Sequence, residues 1–422
     1  MTAALCYKCI NDAYLSAELK AEGEKVTCSE CDKSRRGISV EDLGARLETR
    51  LRELYVRGGE YMYVPPGADY HVIGYHGEDL SDLIQEVLGD MFKCHDEIVA
   101  AVQDAEVCFP QDGDEPFWDD DSCYVPARVR DELEGKFDWR WLQQDIKHHR
   151  RFFSRAAKAL FDNLFADIHS LKCWDRESGS TPIAYDLPAG TSLFRARLAT
   201  TPAVVKAILQ DPAAQVGPPP SEDARAGRMN PEGVAVVYAA NDVQTAVAEM
   251  RPAIGSDVAV IGLKTTRPLR ILDFTRLERA TDENSIFDPE YAEKRDRHEF
   301  LRELHDLISE PVVPGRESDY LITQTLAEYL AHVHKGKFEG IAFTSAQNEG
   351  GTNFVLFSHI PDRSHLPDLE ASVEERFGVD YVAESLRFVH IEKVSISFKR
   401  MDHFTNEEGH AFLYDPHPDD DE

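Results

Sequence analysis

The chain of 422 residues predicts an α+β fold in consecutive parts. Three observations predict it. Four early cysteines form two C-x2-C pairs, the next stretch repeats apolar residues at helical spacing, and from about Ile183 short β-prone runs alternate with helical ones. The expected divisions are a zinc ribbon over 1–38, a helical domain over 39–180, an α+β domain over 184–400 and an acidic tail over 401–422. A chain of this length can bury more than one core.

The first element is set by sulfur. Cys6, Cys9, Cys28 and Cys31 follow C-x2-C-x18-C-x2-C. Two thiolates so spaced can reach one tetrahedral ion, and a second pair completes the shell. With all four positions filled by sulfur no place remains for a catalytic water, so structural zinc is expected. Cys94, Cys108, Cys123 and Cys173 lack such spacing and read as buried thiols.

The helical part rests on periodicity. Leu43, Leu47, Leu51 and Leu54 mark a helix within Val40–Arg57. Leu80, Leu83, Ile84, Val87, Leu88, Met91 and Phe92 mark a second stretch over Asp79–Ala105, and a third runs from Trp139 to Cys173. His148 and His149 lie near Asp145, but adjacent helix positions diverge by about a third of a turn. A solvated or capping role is expected for them. The R-x4–6-H signature of the helical HEPN ribonucleases is absent.

Charge narrows the partners. With 46 basic and 77 acidic side chains the formal charge is −31, which repels phosphate backbones and disfavours nucleic acid. A small anion needs only a local basic pocket and stays allowed. The acidic runs at 111–121 and 415–422 read as a solvated loop and terminus, without EF-hand spacing. No apolar run matches a bilayer span, and MTAALCYKCI lacks the pattern of a signal peptide. A cytoplasmic protein with no membrane partner is the expectation.

In the α+β part, strands are expected at Ser192–Arg197, Val234–Ala240, Val258–Leu263, Gly340–Thr344, Phe354–Ser358 and Lys393–Phe398. Helices are expected at Ala203–Gln210, Val243–Met250, Tyr291–Ile308 and Tyr320–Val333. Residues 211–223 carry too many prolines to be expected as an element. Gly227 and the following N-P-x-G turn would present Arg228 at a strand edge, and Asn241 with Gln244 forms a candidate helix start. The chain contains no G-x-G, Walker A, G-x-S-x-G or H-E-x-x-H sequence.

The blocks LFRAR (193–197), AGRMNP-x-G with VVYAA and AEM (226–250), and YLITQTLAEYL…FEGIAFTSAQNEGGTNFVLF (320–357) resemble a RES domain over Ala184–Phe398. RES proteins are NAD-degrading toxins related in fold to ADP-ribosyltransferases, so the resemblance implies a split β-sheet and NAD as substrate. The N-terminal third is similar, in arrangement, to the helical HEPN/RES-type region that precedes some RES domains. Carried over, the family's catalytic set falls on Arg228, Tyr238 and Glu249. NAD-binding positions fall on Arg195, with Arg197 competing for its role, on Ser345 and, as a support, on Asn353. Met229 stands where the family often has an aromatic.

What the resemblance implies chemically is cleavage of the nicotinamide–ribose bond, through a state in which positive charge grows on the ribose. Glu249 would stabilise that charge, Arg228 and Arg195 would grip the phosphates, Tyr238 would stack, and Ser345 would bond ribose or phosphate. The expected function is a toxin or anti-phage defence effector acting by hydrolysis or phosphorolysis. An ADP-ribosyltransferase modifying a protein is the alternative, and an inactive zinc-ribbon interaction protein the second. An antitoxin or regulatory partner is implied, and a homo-oligomer is left open.

Overall fold

The computed structural model describes residues 3–63, 72–108, 115–119, 122–127, 139–175, 179–277, 279–281, 285–309, 320–359, 372–395, 402–405 and 411–414. The acidic tail expected at 415–422 and most of the acidic run at 111–121 lie outside them. The chain divides into two compact units, Met1–Tyr185 with Leu272–Lys337, and Asp186–Ile271 with Phe338–Glu422.

In the first unit, strands Ala4–Cys6, Glu24–Thr27 and Ser34–Ser39 form an antiparallel sheet with the last in the centre. The helix Val40–Leu54 starts where Ser39 Oγ accepts the Asp42 amide at 3.0 Å, and it buries Leu43, Leu47, Leu51 and Leu54 as expected. It ends before Tyr55–Arg57, which is a strand paired with Tyr124–Pro126. The expected stretch Asp79–Ala105 is two helices, Leu80–Leu88 and His95–Ala105. The one expected from Trp139 to Cys173 is also two, Trp139–His148 and Arg155–Leu164, the second started by Ser154, which caps Ala157. Lys172–Asp175 then pairs as a strand with Gly179–Pro182. His148 and His149 are exposed.

Residues 272–337 belong to this compact unit. Arg50 donates to the carbonyls of Ile286 (2.7 Å) and Asp288 (2.5 Å), and Phe300 of helix Tyr291–Ser309 meets Trp139 with ring centroids 5.5 Å apart. Phe300, Leu301, Leu304 and Ile308 are buried, so this helix needs a helical partner for its apolar stripe. The expected helix Tyr320–Val333 is α-helical over Leu321–Glu328 and closes in a π turn, Tyr329–Val333.

The second unit is organised by a nine-stranded sheet. Its strands are β1 (Ala184–Leu187), β2 (Ser192–Leu198), β3 (Val237–Ala240), β4 (Asp257–Thr265), β5 (Leu269–Asp273), β6 (Gly340–Thr344), β7 (Thr352–Leu356), β8 (Val379–Tyr381) and β9 (Arg387–His390). Their order is β1-β5-β6-β7-β3-β2-β4, with both β8 and β9 paired to β4. The two halves join at β3–β2 through one register pair, Ala240 opposite Phe194, which gives the sheet its split character. The strand expected at Lys393–Phe398 is displaced: β9 ends at His390, residues 393–395 are not in a strand, and 396–398 lie outside the described residues.

Three helices complete the part that concerns the site: α1 (Pro202–Gln210), α2 (Pro212–Val216) and α3 (Val243–Ala248). The proline-rich stretch therefore does hold an element. Pro212 sits in the first turn, where no amide partner is needed, and Asp211 caps it by accepting the Ala214 amide at 3.0 Å. Helix α3 is capped by Asp242, one residue after the expected Asn241. Asn241 instead braces β7, its Oδ1 accepting the Thr352 amide at 3.1 Å.

Candidate active site

The carboxylate of Glu249, at the C-terminal cap of α3, is where three expected residues meet. Its Oε1 accepts from Ser345 Oγ at 2.6 Å and from Asn353 Nδ2 at 2.7 Å. No hydrogen bond to Oε2 exists among the described residues. Ser345 and Asn353 are buried and Glu249 is half-buried. Both donors are uncharged and rigidly placed, so they orient the carboxylate without neutralising it.

The sheet register explains the meeting. Asn353 on β7 lies opposite Ala240 on β3, and Tyr238 lies opposite Val355. Paired residues share a face and alternate residues return to it, so Tyr238, Ala240 and Asn353 lie on one side of the sheet. Ala246 of α3 packs against Ala240 and Ala196 on that side, which lays the helix along the face that carries Asn353. The loop after β6 brings Ser345 to the same carboxylate.

Residues outside the expected set hold this arrangement. Asp242 accepts both the amide (2.8 Å) and the hydroxyl (2.6 Å) of Thr245. Thr245 Oγ1 in turn accepts from Asn348 Nδ2 at 2.8 Å, which ties the Ser345 loop to the start of α3. Asn348 and Thr245 were not picked out from the sequence. The spacing Ser345-x-x-Asn348 is the signal for a hydroxyl-capped turn, and the amides of Gln347 and Asn348 both reach Ser345 Oγ at 3.2 Å.

Tyr238 and the loop bearing Arg228 form a second group. The Tyr238 hydroxyl accepts the Met229 amide at 2.9 Å and donates to Asn230 Oδ1 at 2.9 Å. Gly227 and Asn230 make an isolated antiparallel bridge around Arg228, which is half-buried. Met229, at the position where an aromatic is common, is buried at 2 % exposure.

The two remaining arginines make contacts to backbone carbonyls. Strand alternation puts Arg195 and Arg197 on the face opposite Phe194, Ala240 and Asn353. Arg195 donates to the carbonyls of Val216 (2.7 Å) and Tyr238 (2.7 Å). Burial lowers its pKa to about 10, which leaves it protonated near neutral pH. Arg197 reaches the Gln215 carbonyl and, at 3.2 Å, the Gln215 side chain. Both guanidinium groups thus fasten the C-terminal end of α2, where its carbonyls would otherwise lack donors.

In the other unit the four ribbon cysteines come together. The Sγ atoms of Cys6, Cys9, Cys28 and Cys31 all lie within 4.8 Å of one another and could hold a metal ion. Cys6 Sγ lies 3.8 Å from Cys9 Sγ and 3.8 Å from Cys31 Sγ. No helix among the described residues is long and apolar enough to cross a membrane.

No curated protein and no solved structure matches the chain. Residues 193–380 match the RES domain family, and this match takes in every residue of the Glu249 and Arg228 groups. The chain contains a RES domain.

Proposed function

We propose that the RES domain consumes NAD by breaking the bond between nicotinamide and ribose. The observation that carries this reading is the Glu249 carboxylate, oriented by Ser345 and Asn353 through one oxygen. As that bond breaks, positive charge develops on the ribose. A carboxylate held in place gains more from that charge than from neutral ground-state ribose, so it lowers the barrier rather than only tightening binding. Arg228 supplies the planar donor fork for the diphosphate, and the Tyr238 ring offers a face for the nicotinamide.

A RES domain suggests an NAD-related, toxin-like function, and unchecked NAD loss would harm a host cell. The reading therefore includes restraint by an antitoxin or regulatory partner. Purified protein incubated with NAD should release nicotinamide. ADP-ribose as co-product indicates hydrolysis, a phosphorylated ADP-ribose formed only with inorganic phosphate indicates phosphorolysis, and label retained on protein indicates ADP-ribosyl transfer. Glu249→Gln should lower release by at least about a hundredfold while the fold is kept. NAD left intact both with and without inorganic phosphate would sink the reading and favour an interaction protein.

For the ribbon the reading is a structural zinc ion. A four-thiolate set suits zinc, and bonds of about 2.3 Å in a tetrahedron place sulfurs about 3.8 Å apart. The two Cys6 separations agree with that edge.

A further inference from the structure

We propose that Asn230 and the Tyr238 hydroxyl form a lock that fixes the loop carrying Arg228, making both positioning residues for the phosphate grip. This rests on the reading of Arg228 as the diphosphate ligand. Asn230 is 3 % exposed and sits at the hub of the loop. Its Nδ2 donates to the carbonyls of Arg225 (2.9 Å) and Val234 (2.8 Å), with Pro231 at 3.2 Å, so one amide clamps both ends of the loop. Its own carbonyl accepts the Gly227 amide at 2.9 Å.

Arg228 is thereby held on both sides. The amide before it, of Gly227, is bonded to Asn230, and the amide after it, of Met229, is bonded to Tyr238. The Met229 amide lies in the peptide that follows Arg228 and the Gly227 amide one peptide further back than the one before Arg228, so the backbone around Arg228 is tied at two points and its guanidinium samples fewer positions, which is preorganisation for binding. The tyrosine is itself anchored, since Tyr238 pairs with Val355 and its carbonyl takes a bond from Arg195. Gly227 is required for the fit. A Cβ there would lie 2.7 Å from both Asn230 Oδ1 and Tyr238 Oη, against groups that cannot move away without breaking the lock.

The consequence separates two jobs of one side chain. Stacking needs only the ring of Tyr238, whereas the lock needs its hydroxyl. Tyr238→Phe keeps the first and removes the second. It leaves the Met229 amide and Asn230 Oδ1, both in buried residues, without that partner.

The test uses the full chain carrying Tyr238→Phe, Asn230→Asp or both, with circular dichroism to confirm folding. Exchange of the Met229 amide should become at least about tenfold faster in Tyr238→Phe. The Kd for ADP-ribose and the KM for NAD should each rise about tenfold, while kcat stays within about threefold. The double variant should bind no worse than the weaker single one, because both break one device. Faster exchange with unchanged Kd and KM would mean a merely structural contact and would overturn the proposal. So would unchanged exchange. If Asn230→Asp does not fold, Tyr238→Phe decides alone. Wild-type protein that binds ADP-ribose yet releases no nicotinamide would end the activity reading and leave the lock to be judged on binding.

Discussion

The hydroxyl of Ser345 donates to Glu249 Oε1 at 2.6 Å, across 96 residues of sequence. A hydroxyl has one proton, and here it points at the carboxylate while the oxygen accepts two amides of its own turn. In this arrangement Ser345 supports the Glu249 carboxylate. Ser345→Ala should lower kcat for nicotinamide release about tenfold, with KM for NAD changed less than threefold, because the carboxylate loses its set orientation. Combining it with Asn353→Ala should give less than the product of the two losses, as steady-state kinetics on all three variants would reveal.

Gly351 marks how closely that loop approaches α3. A Cβ added there would sit 2.3 Å from Thr245 Oγ1 and 2.9 Å from its Cγ2, and Thr245 is fully buried. Gly351→Ala should cost about 1–3 kcal/mol of stability through this overpacking. Chemical denaturation would measure it, and a midpoint equal to wild type would contradict the close approach.

In the first unit, Asp167 takes a 2.6 Å bond from Arg297 Nη2, and its Oδ2 lies 3.3 Å from His298 Nε2. Burial alone would raise its pKa, but the His298 hydrogen bond and the charges of Arg297 and His298 outweigh it and bring the value to about 2. A carboxylate with a depressed pKa stabilises the fold above its unfolded value near 3.9, and that stability is lost as pH falls towards about 2. Solvent screening of this partly exposed carboxylate reduces the contribution to about 1 kcal/mol at neutral pH. Asp167→Asn should lower stability by that order at pH 7 and flatten the loss between about pH 4 and pH 2, as denaturation across that range would record.

The ribbon offers a metal test. Cys9→Ser should reduce bound zinc from about one ion per chain to a small fraction and lower the thermal midpoint of the N-terminal unit. Full zinc content in that variant would exclude the four-sulfur shell.

Much of the fold was legible because local periodicity dictated it. The four leucines of Val40–Leu54 and the strand β6, Gly340–Thr344, lie where the pattern put them. Local chemistry also misled. Proline counted against an element at 211–223, yet a proline in the first turn after an aspartate cap is a helix start. Asn241 could serve as a cap by composition, but Asp242 holds that place while Asn241 braces β7.

By itself the sequence determined the four-thiol spacing, the order of strands and helices, and the residue types of the RES blocks. Only the tertiary structure decided which of those residues meet. It placed 272–337 with the N-terminal unit, because helix Tyr291–Ser309 needs an apolar partner that no local pattern names. It turned Arg195 and Arg197 to the other face of β2, where they hold α2. It set Ser345, Asn353 and Glu249 around one carboxylate, since strand register, and not spacing along the chain, chooses which side chains share a face.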